Sequence, residues 1–331
     1  MTIDLKIKGL FFGHILGDVL GYPFEFTTKN LKKYSYPYQK NMWSDDSAQM
    51  MIIYESIKSH TVTNIPKLLV NWKDYGIPEI EENMTISCGG YTYAVLSLPD
   101  YVEDPIHKSK NYWDDNWGIF AGNGSLMRTS IISTIENFEE MINICIYVCK
   151  LTHYDIRCVL ACIFYNIVLH KLLYTNLQIL EIYEFAFDYT KEYYSKNNGD
   201  GEKNYCDLLK IDNYFLDQRF SNHYDEFKYY CDSMFINENS LQTLDLDNIV
   251  TNGYVMKSFG VFLWTLKNIE KGNINYLNLI NQIIYEGGDT DTNACISGAL
   301  IGLFIGYESL PIDYLNYVSH INWIKHKFNF I

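Results

Sequence analysis

The stretch YEGGDTDTNACISGALIGLFIG, residues 285–306, sets Asp289, Thr290, Asp291 and Thr292 between two glycines and an almost wholly apolar run. One carboxylate is enough to cap a helix N-terminus and satisfy its macrodipole. Two carboxylates and two hydroxyls in four residues exceed that need. The run that follows is apolar on every side, which marks a helix buried in a core. Gly298, Gly302 and Gly306 recur through it every four residues, as do Gly9, Gly13, Gly17 and Gly21 near the N-terminus. A helical glycine costs about 1 kcal/mol relative to alanine. Two such stripes therefore imply close packing of central helices.

Outward from this segment, helical periodicity recurs almost everywhere and two-residue alternation almost nowhere. Helices are expected over 4–20, 45–59, 64–75, 126–134, 137–150, 154–173, 177–194, 204–218, 254–269, 274–285 and 293–307. The fold class is all-α, a compact helical bundle. The 331 residues are 48% hydrophobic, with seven prolines and no linker-like tract, so one domain over 1–331 is expected. Residues 99–121 read as a loop, and 195–250, opened by the turn cluster YSKNNGDGEK, as a peripheral elaboration.

The formal net charge of −14 opposes binding to nucleic acid phosphates. No segment is expected to be long and apolar enough to span a bilayer. The eight cysteines include no C-x-x-C pair and read as buried free thiols, which with the absence of a signal-peptide pattern leads us to expect an intracellular, cytoplasmic protein. Only three basic residues are arginine, Arg128, Arg157 and Arg219. Arg128 is expected either to pair with a buried acid such as Asp18 or to face a ligand, with the ion pair favoured.

A second acidic helix mouth lies upstream in MWSDDSAQMMIIYESI, residues 42–57. Ser44 is the expected N-cap, Asp45 and Asp46 the first turn, and Ala48, Met51, Ile52 and Ile53 the buried side. If the two mouths meet, four carboxylates share a small volume. Two like charges 4 Å apart repel by about 4 kcal/mol at an effective dielectric of 20. Protonation or a multivalent cation must relieve this, and an all-oxygen donor set without histidine or cysteine suits Mg²⁺, with Mn²⁺ or Ca²⁺ as alternatives. A third stretch, GHILGDVLGYPFEF (13–26), supplies Asp18 and, after Pro23, Glu25. The loop position of Glu25, away from both mouths, makes it the acid most able to move.

Three shorter motifs complete the set: GNGSLMR (122–128), LTH (151–153) and GYV (253–255). Gly122 and Gly124 can free backbone N–H groups at a helix start to cradle a diphosphate. His153 lies between Thr152, a candidate cap, and Asp155, three residues later, so capping stands beside ligand contact. Tyr254 is a candidate to stack on a ribose or base.

Taken in order, GDVLGYPFE (17–25), SDDS (44–47), GNGSLMR, LTH, GYV and GGDTDT (287–292) resemble the ADP-ribosylglycohydrolase family, which includes the dinitrogenase-reductase-activating glycohydrolases. The resemblance spans nearly the whole chain. It implies an orthogonal all-α bundle around two Mg²⁺ (or Mn²⁺) ions, and hydrolysis at the anomeric carbon of ADP-ribose carried by a protein side chain or small molecule. By position it implies Ser44, Asp45, Asp46, Asp289, Asp291 and Thr292 as metal ligands, and Glu25, on a mobile loop, with Asp46 as proton carriers. Gly122, Asn123, Gly124, Ser125, His153, Gly253 and Tyr254 become substrate contacts. Ser44 and Ser47 replace threonines common in the family, and Tyr154 a common proline. The partner is then an ADP-ribosylated protein or an ADP-ribose-containing small molecule; the chain is expected to be monomeric, with no membrane partner. The rival readings are an inactive ADP-ribose-binding or structural relative and an unrelated metal-dependent phosphohydrolase.

Overall fold

The computed structural model describes residues 1–29, 42–80, 88–197 and 220–329. Among the described residues every regular element is helical, and β pairing is confined to two isolated bridges. The organising contact is between α1 (Ile3–Gly21) and a late helix, α12 (Thr290–Ile305), in the numbering that follows. Gly9 meets Gly302, Gly13 meets Gly298, Gly17 meets Ala294 and Gly21 meets Thr290 and Asp291, an antiparallel register. A Cβ on Gly13 or Gly298 would strike the carbonyl of the other. The stripes thus serve one another, and the steric demand that justifies their cost is backbone against backbone. Tyr276 adds a hydroxyl donated to the carbonyl of Gly13 at 2.5 Å. The consequence for function is positional: the C-terminus of α1 lies beside the acidic N-terminus of α12.

Between these come α2 (Asp45–Lys58), α3 (Ile65–Tyr75), α4 (Gly90–Leu96), α5 (Pro105–Asp115), α6 (Phe138–Lys150), α7 (Ile156–Tyr174), α8 (Ile179–Lys196), α9 (His223–Cys231), α10 (Val255–Glu270) and α11 (Tyr276–Tyr285). Two short helices, α13 (Ile312–Leu315) and α14 (Ile321–Lys327), follow α12. The axis of the core is α7. Phe164 packs edge-on to Tyr183 of α8, Phe227 of α9, and Phe259 and Phe262 of α10. Tyr165 donates its hydroxyl to the carbonyl of Ile296 in α12 at 3.0 Å.

Several expectations change. The helix expected over 126–134 is two short 3₁₀ turns, Asn123–Ser125 and Ser130–Thr134. Buried Ser130 and Ser133 and the inward turn of Arg128 shape this segment more than helix propensity does. The loop expected over 99–121 contains α5, started by Pro105 behind the cap Asp104. The helix expected over 204–218 lies outside the described residues. Contrary to expectation, α7 is long and apolar enough by length and composition to cross a bilayer, but 89% of it is buried inside the fold. The described part of 195–250 is tied to the core, with Phe227, Cys231 and Phe235 fully buried. The seven described cysteines are free thiols, six of them buried.

Candidate active site

The two acidic mouths meet through Asp18, in the last turn of α1. Its carboxylate accepts from Ser44 N (3.1 and 3.0 Å), Ser47 N (3.1 Å) and the Ser47 hydroxyl (2.5 Å). Asp18 therefore caps α2, while Thr290 donates its hydroxyl to the carbonyl of Gly21 at 2.8 Å and secures α12 to the same end of α1. Ser44 is the N-cap of α2, as expected, accepting from Asp46 N.

Carboxylate oxygens of Glu25, Asp289 and Asp291 lie within 4.8 Å of one another. At that separation and a dielectric of 20, each ionised pair repels by about 3.5 kcal/mol. Among the described residues no lysine or arginine forms an ion pair with Asp18, Glu25, Asp45, Asp46, Asp289 or Asp291. Burial, then Asp289 and Asp18, pushes Glu25 up to about 7. Burial, then Asp18, Asp289 and Glu25, takes Asp45 to about 8. Burial drives Asp46 and Asp291 well above the carboxylate range, with neighbouring acids adding to it, and holds Asp18 near 6 despite its serine donors.

The position of Glu25 corrects the expectation that it stands away from both mouths. The 3₁₀ turn Tyr22–Phe24 delivers it, and the next residues bridge to the second mouth: Phe26 N donates to Gly288 O (2.7 Å) and Gly288 N to Thr27 O (2.9 Å). Gly287 and Gly288 have φ of +72° and +74°, and a Cβ on Gly288 would strike the Leu246 carbonyl. Both glycines are needed for this turn. Asp46 is less available than expected. Ser44 donates its hydroxyl to Oδ2 (3.1 Å) and Cys295 its thiol to Oδ1 (3.0 Å). The Thr292 hydroxyl turns to Met127 Sδ at 3.8 Å.

The second bridge joins the glycine motifs. Asn123 N donates to Gly253 O (3.0 Å) and Val255 N to Ala121 O (2.9 Å). The Asn123 side chain donates to Asp289 Oδ2 (2.8 Å) and Ser258 Oγ (3.0 Å), linking the GNG loop directly to the acids. Ser125 turns inward, accepting from the Cys162 thiol at 3.7 Å. The His153 ring lies over the loop: a Cβ on Gly124 would come within 3.0 Å of its Cε1 and 3.1 Å of Thr92 Oγ1. Gly124 thus makes room for an imidazole, where the sequence suggested a diphosphate.

Arg128 forms no ion pair with Asp18. Its guanidinium donates to Gln49 Oε1 (2.8 Å), Val148 O (2.9 Å) and Thr152 Oγ1 (2.7 Å), all neutral acceptors in the core. Thr152 Oγ1 also lies 2.8 Å from His153 Nδ1; in the tautomer where the hydroxyl donates to Nδ1, the ring proton is on Nε2. Burial, with Arg128 nearby, lowers His153 to about 3, so the ring is neutral. The expected Thr152 cap is absent because Asp155 itself caps α7, accepting from Arg157 N. Arg157 pairs with Asp155 (2.8 Å) and donates to the Tyr254 hydroxyl (3.1 Å), which donates to Glu226 Oε1 (2.6 Å). Tyr254 is held by its hydroxyl from α7 and α9.

A profile of the ADP-ribosylglycohydrolase family matches residues 1–328. The chain belongs to that family. ADP-ribosylhydrolase ARH3 of Xenopus tropicalis is 22% identical over 93% of this chain and 89% of its own. A protein of Acanthamoeba polyphaga mimivirus, provisionally named an ADP-ribosyl glycohydrolase, is 24% identical over 96% of this chain and 91% of its own. A solved structure titled as an ADP-ribosylglycohydrolase-related protein complex superposes with a TM-score of 0.63 at 16% identity, covering 98% of this chain and 96% of its own.

Within this member of the family, sequence reasoning missed Cys295 at Asp46 and the Arg157–Tyr254–Glu226 network. It also missed Tyr91, whose ring meets His153 at 5.2 Å and Phe120 at 5.5 Å. The scarcity of arginine drew attention to Arg128 and is the signal that could have found Arg157. Tyr91 carried no signal among 29 tyrosines.

Proposed function

We propose that the protein hydrolyses the bond between the anomeric carbon of ADP-ribose and an acceptor, either a protein side chain or a small molecule. The observation that carries this reading is the Glu25–Asp289–Asp291 trio, one hydrogen bond (through Asn123) from the glycine loop beneath His153. Six clustered carboxylates with no cationic partner among the described residues fit a pair of hard divalent cations, Mg²⁺ or Mn²⁺. Asp289, Asp291 and Asp45 would hold them, and the chemistry they supply is positive charge beside the reacting carbon and the incoming water.

The remaining work falls to the chain. Asn123 fixes the orientation of Asp289. His153 offers a neutral Nε2–H beside the Gly122–Gly124 loop as a donor to the substrate. Glu25 is partly exposed and near neutral in pKa, which suits proton transfer; Asp46 is sealed, with both oxygens occupied. In the reaction a water oxygen bonds to the anomeric carbon as the bond to the acceptor breaks, through an oxocarbenium-like transition state. The proton leaving the water passes to Glu25 and from Glu25 to the departing acceptor, which restores the carboxylate.

The test is release of ADP-ribose from arginine-linked, serine-linked, polymeric and O-acetyl substrates, with Mg²⁺ or Mn²⁺ and with chelator. Metal-dependent release from at least one is expected. Tight ADP-ribose binding with no release from any would overturn the hydrolase reading.

A further inference from the structure

The two glycine motifs are held together by a clamp centred on Arg157 of α7, a buried residue whose fork has defined partners. Nε and Nη2 grip Asp155 at 2.9 and 2.8 Å, and Nη2 also donates to Ile119 O at 3.0 Å. Nη1 donates to the Tyr254 hydroxyl at 3.1 Å and lies 3.7 Å from Glu226 Oε2. One planar guanidinium thus ties the backbone just ahead of Gly122 to the residue that follows Gly253, a geometry a lysine cannot reproduce.

Glu226 closes the clamp from α9, within the stretch that reads as peripheral in the sequence. A guanidinium can only donate, so the Tyr254 oxygen accepts from Arg157 and its single proton goes to Glu226 Oε1, 2.6 Å away. The phenol cannot swing without breaking two hydrogen bonds to ionisable groups, and such charge-assisted bonds are the strong ones. With its proton committed, Tyr254 meets a ligand through its ring and backbone rather than as a donor.

The clamp is continuous with the acids. Val255 N donates to Ala121 O, Asn123 N to Gly253 O, and the Asn123 side chain to Asp289 Oδ2. Each hydrogen bond on the path from Glu226 through Tyr254 to Asp289 is 3.0 Å or shorter.

We infer that Arg157 and Glu226 are positioning residues for the proposed reaction: they hold the 119–122 and 253–255 segments as one surface on which the ADP-ribose moiety seats. The identity of that ligand rests on the hydrolase reading; the clamp does not.

Three variants test it. Glu226→Leu removes the acceptor, Tyr254→Phe keeps the ring and removes the hydroxyl, and Glu226→Gln keeps an acceptor oxygen at nearly the same size. Calorimetry with ADP-ribose reads affinity without turnover, release assays give KM and kcat, and Tm checks folding. Glu226→Leu and Tyr254→Phe should each raise Kd and KM about tenfold, equivalent to about 1.4 kcal/mol, with kcat within about threefold because Glu25 and the acids stand on other elements. The double variant should bind no more weakly than either single one, and Glu226→Gln should stay within about threefold of wild type. A lowered Tm with wild-type Kd and KM would reduce the pair to structural support and overturn the inference, as would a Gln variant as weak as the Leu variant. The expected loss of affinity in a protein that releases nothing from any substrate would uphold the clamp and refute the hydrolase reading. Release at wild-type KM by folded Tyr254→Phe would refute the clamp alone.

Discussion

If the acid cluster lacks a protein counter-charge, the metal-free protein should lose stability as pH rises from 6.5 to 8.5. The sign follows from linkage. Asp45 and Glu25 have folded pKa values raised to about 8 and about 7, from 3.8 and 4.5. The folded state therefore holds more protons, and stability present at low pH is lost as pH climbs through the folded values. Buried His14, His153 and His223, each lowered to about 3, act oppositely, chiefly below their unfolded value of 6.5. Just above pH 6.5 each histidine still offsets RT ln 2, about 0.4 kcal/mol, and from about pH 7.5 the acids act alone. Each pKa unit is worth about 1.4 kcal/mol, so carrying Asp45 from pH 6.5 to about 8 costs about 2 kcal/mol. Glu25 adds less, being partly solvated. At about 2 °C per kcal/mol for a chain of this size, Asp45 alone lowers Tm by about 4 °C, with Asp46 and Asp291 adding to the fall and the histidines offsetting part of it. Calorimetry in chelator at pH 6.5, 7.5 and 8.5 measures it. Asp45→Asn should lessen the slope, leaving the part carried by Asp46 and Asp291, and Mg²⁺ at about 100 times its Kd should restore about 2.7 kcal/mol at pH 8.5. A flat apo Tm that Mg²⁺ leaves unmoved would refute the reasoning.

Glu25→Gln should lower kcat by about 10²–10⁴-fold with ADP-ribose affinity little changed, measured by single-turnover release at saturating Mg²⁺; a near wild-type rate would remove Glu25 from the chemistry. Gly124→Val should displace the His153 ring and weaken ADP-ribose binding by calorimetry while the helices persist by circular dichroism, whereas unchanged affinity would mean the ring does not touch the ligand. Arg128→Met should cost about 2–4 kcal/mol in urea denaturation, because the Val148 carbonyl and the Gln49 carboxamide each lose a buried donor. A variant as stable as wild type would show that water replaces the guanidinium.

The acidic half of the site was more legible than the glycine-loop half. Paired acids at helix mouths announce themselves because their charge exceeds what capping can use. The role of Gly124 did not, since a glycine making room for an imidazole and one making room for a phosphate look alike in sequence. Arg128 was misread for a related reason: a buried cation suggests a carboxylate partner, yet its two terminal nitrogens donate to three neutral acceptors.

By itself the sequence determined the helical class, the two acidic mouths and the demand for close backbone contact along two glycine stripes, because periodicity, capping and side-chain size are local properties. Only the tertiary structure decided that the stripes pair with each other in an antiparallel register. That register carries the end of α1 to the mouth of α12, and Asp18 then fixes α2 beside them. The same long-range bridges bring Glu25 to Asp289 and Asn123 to the acids. Apart from those of Asp18, these contacts join residues more than 100 positions apart, and one turn's slip in the glycine register, about 5.4 Å, would separate them.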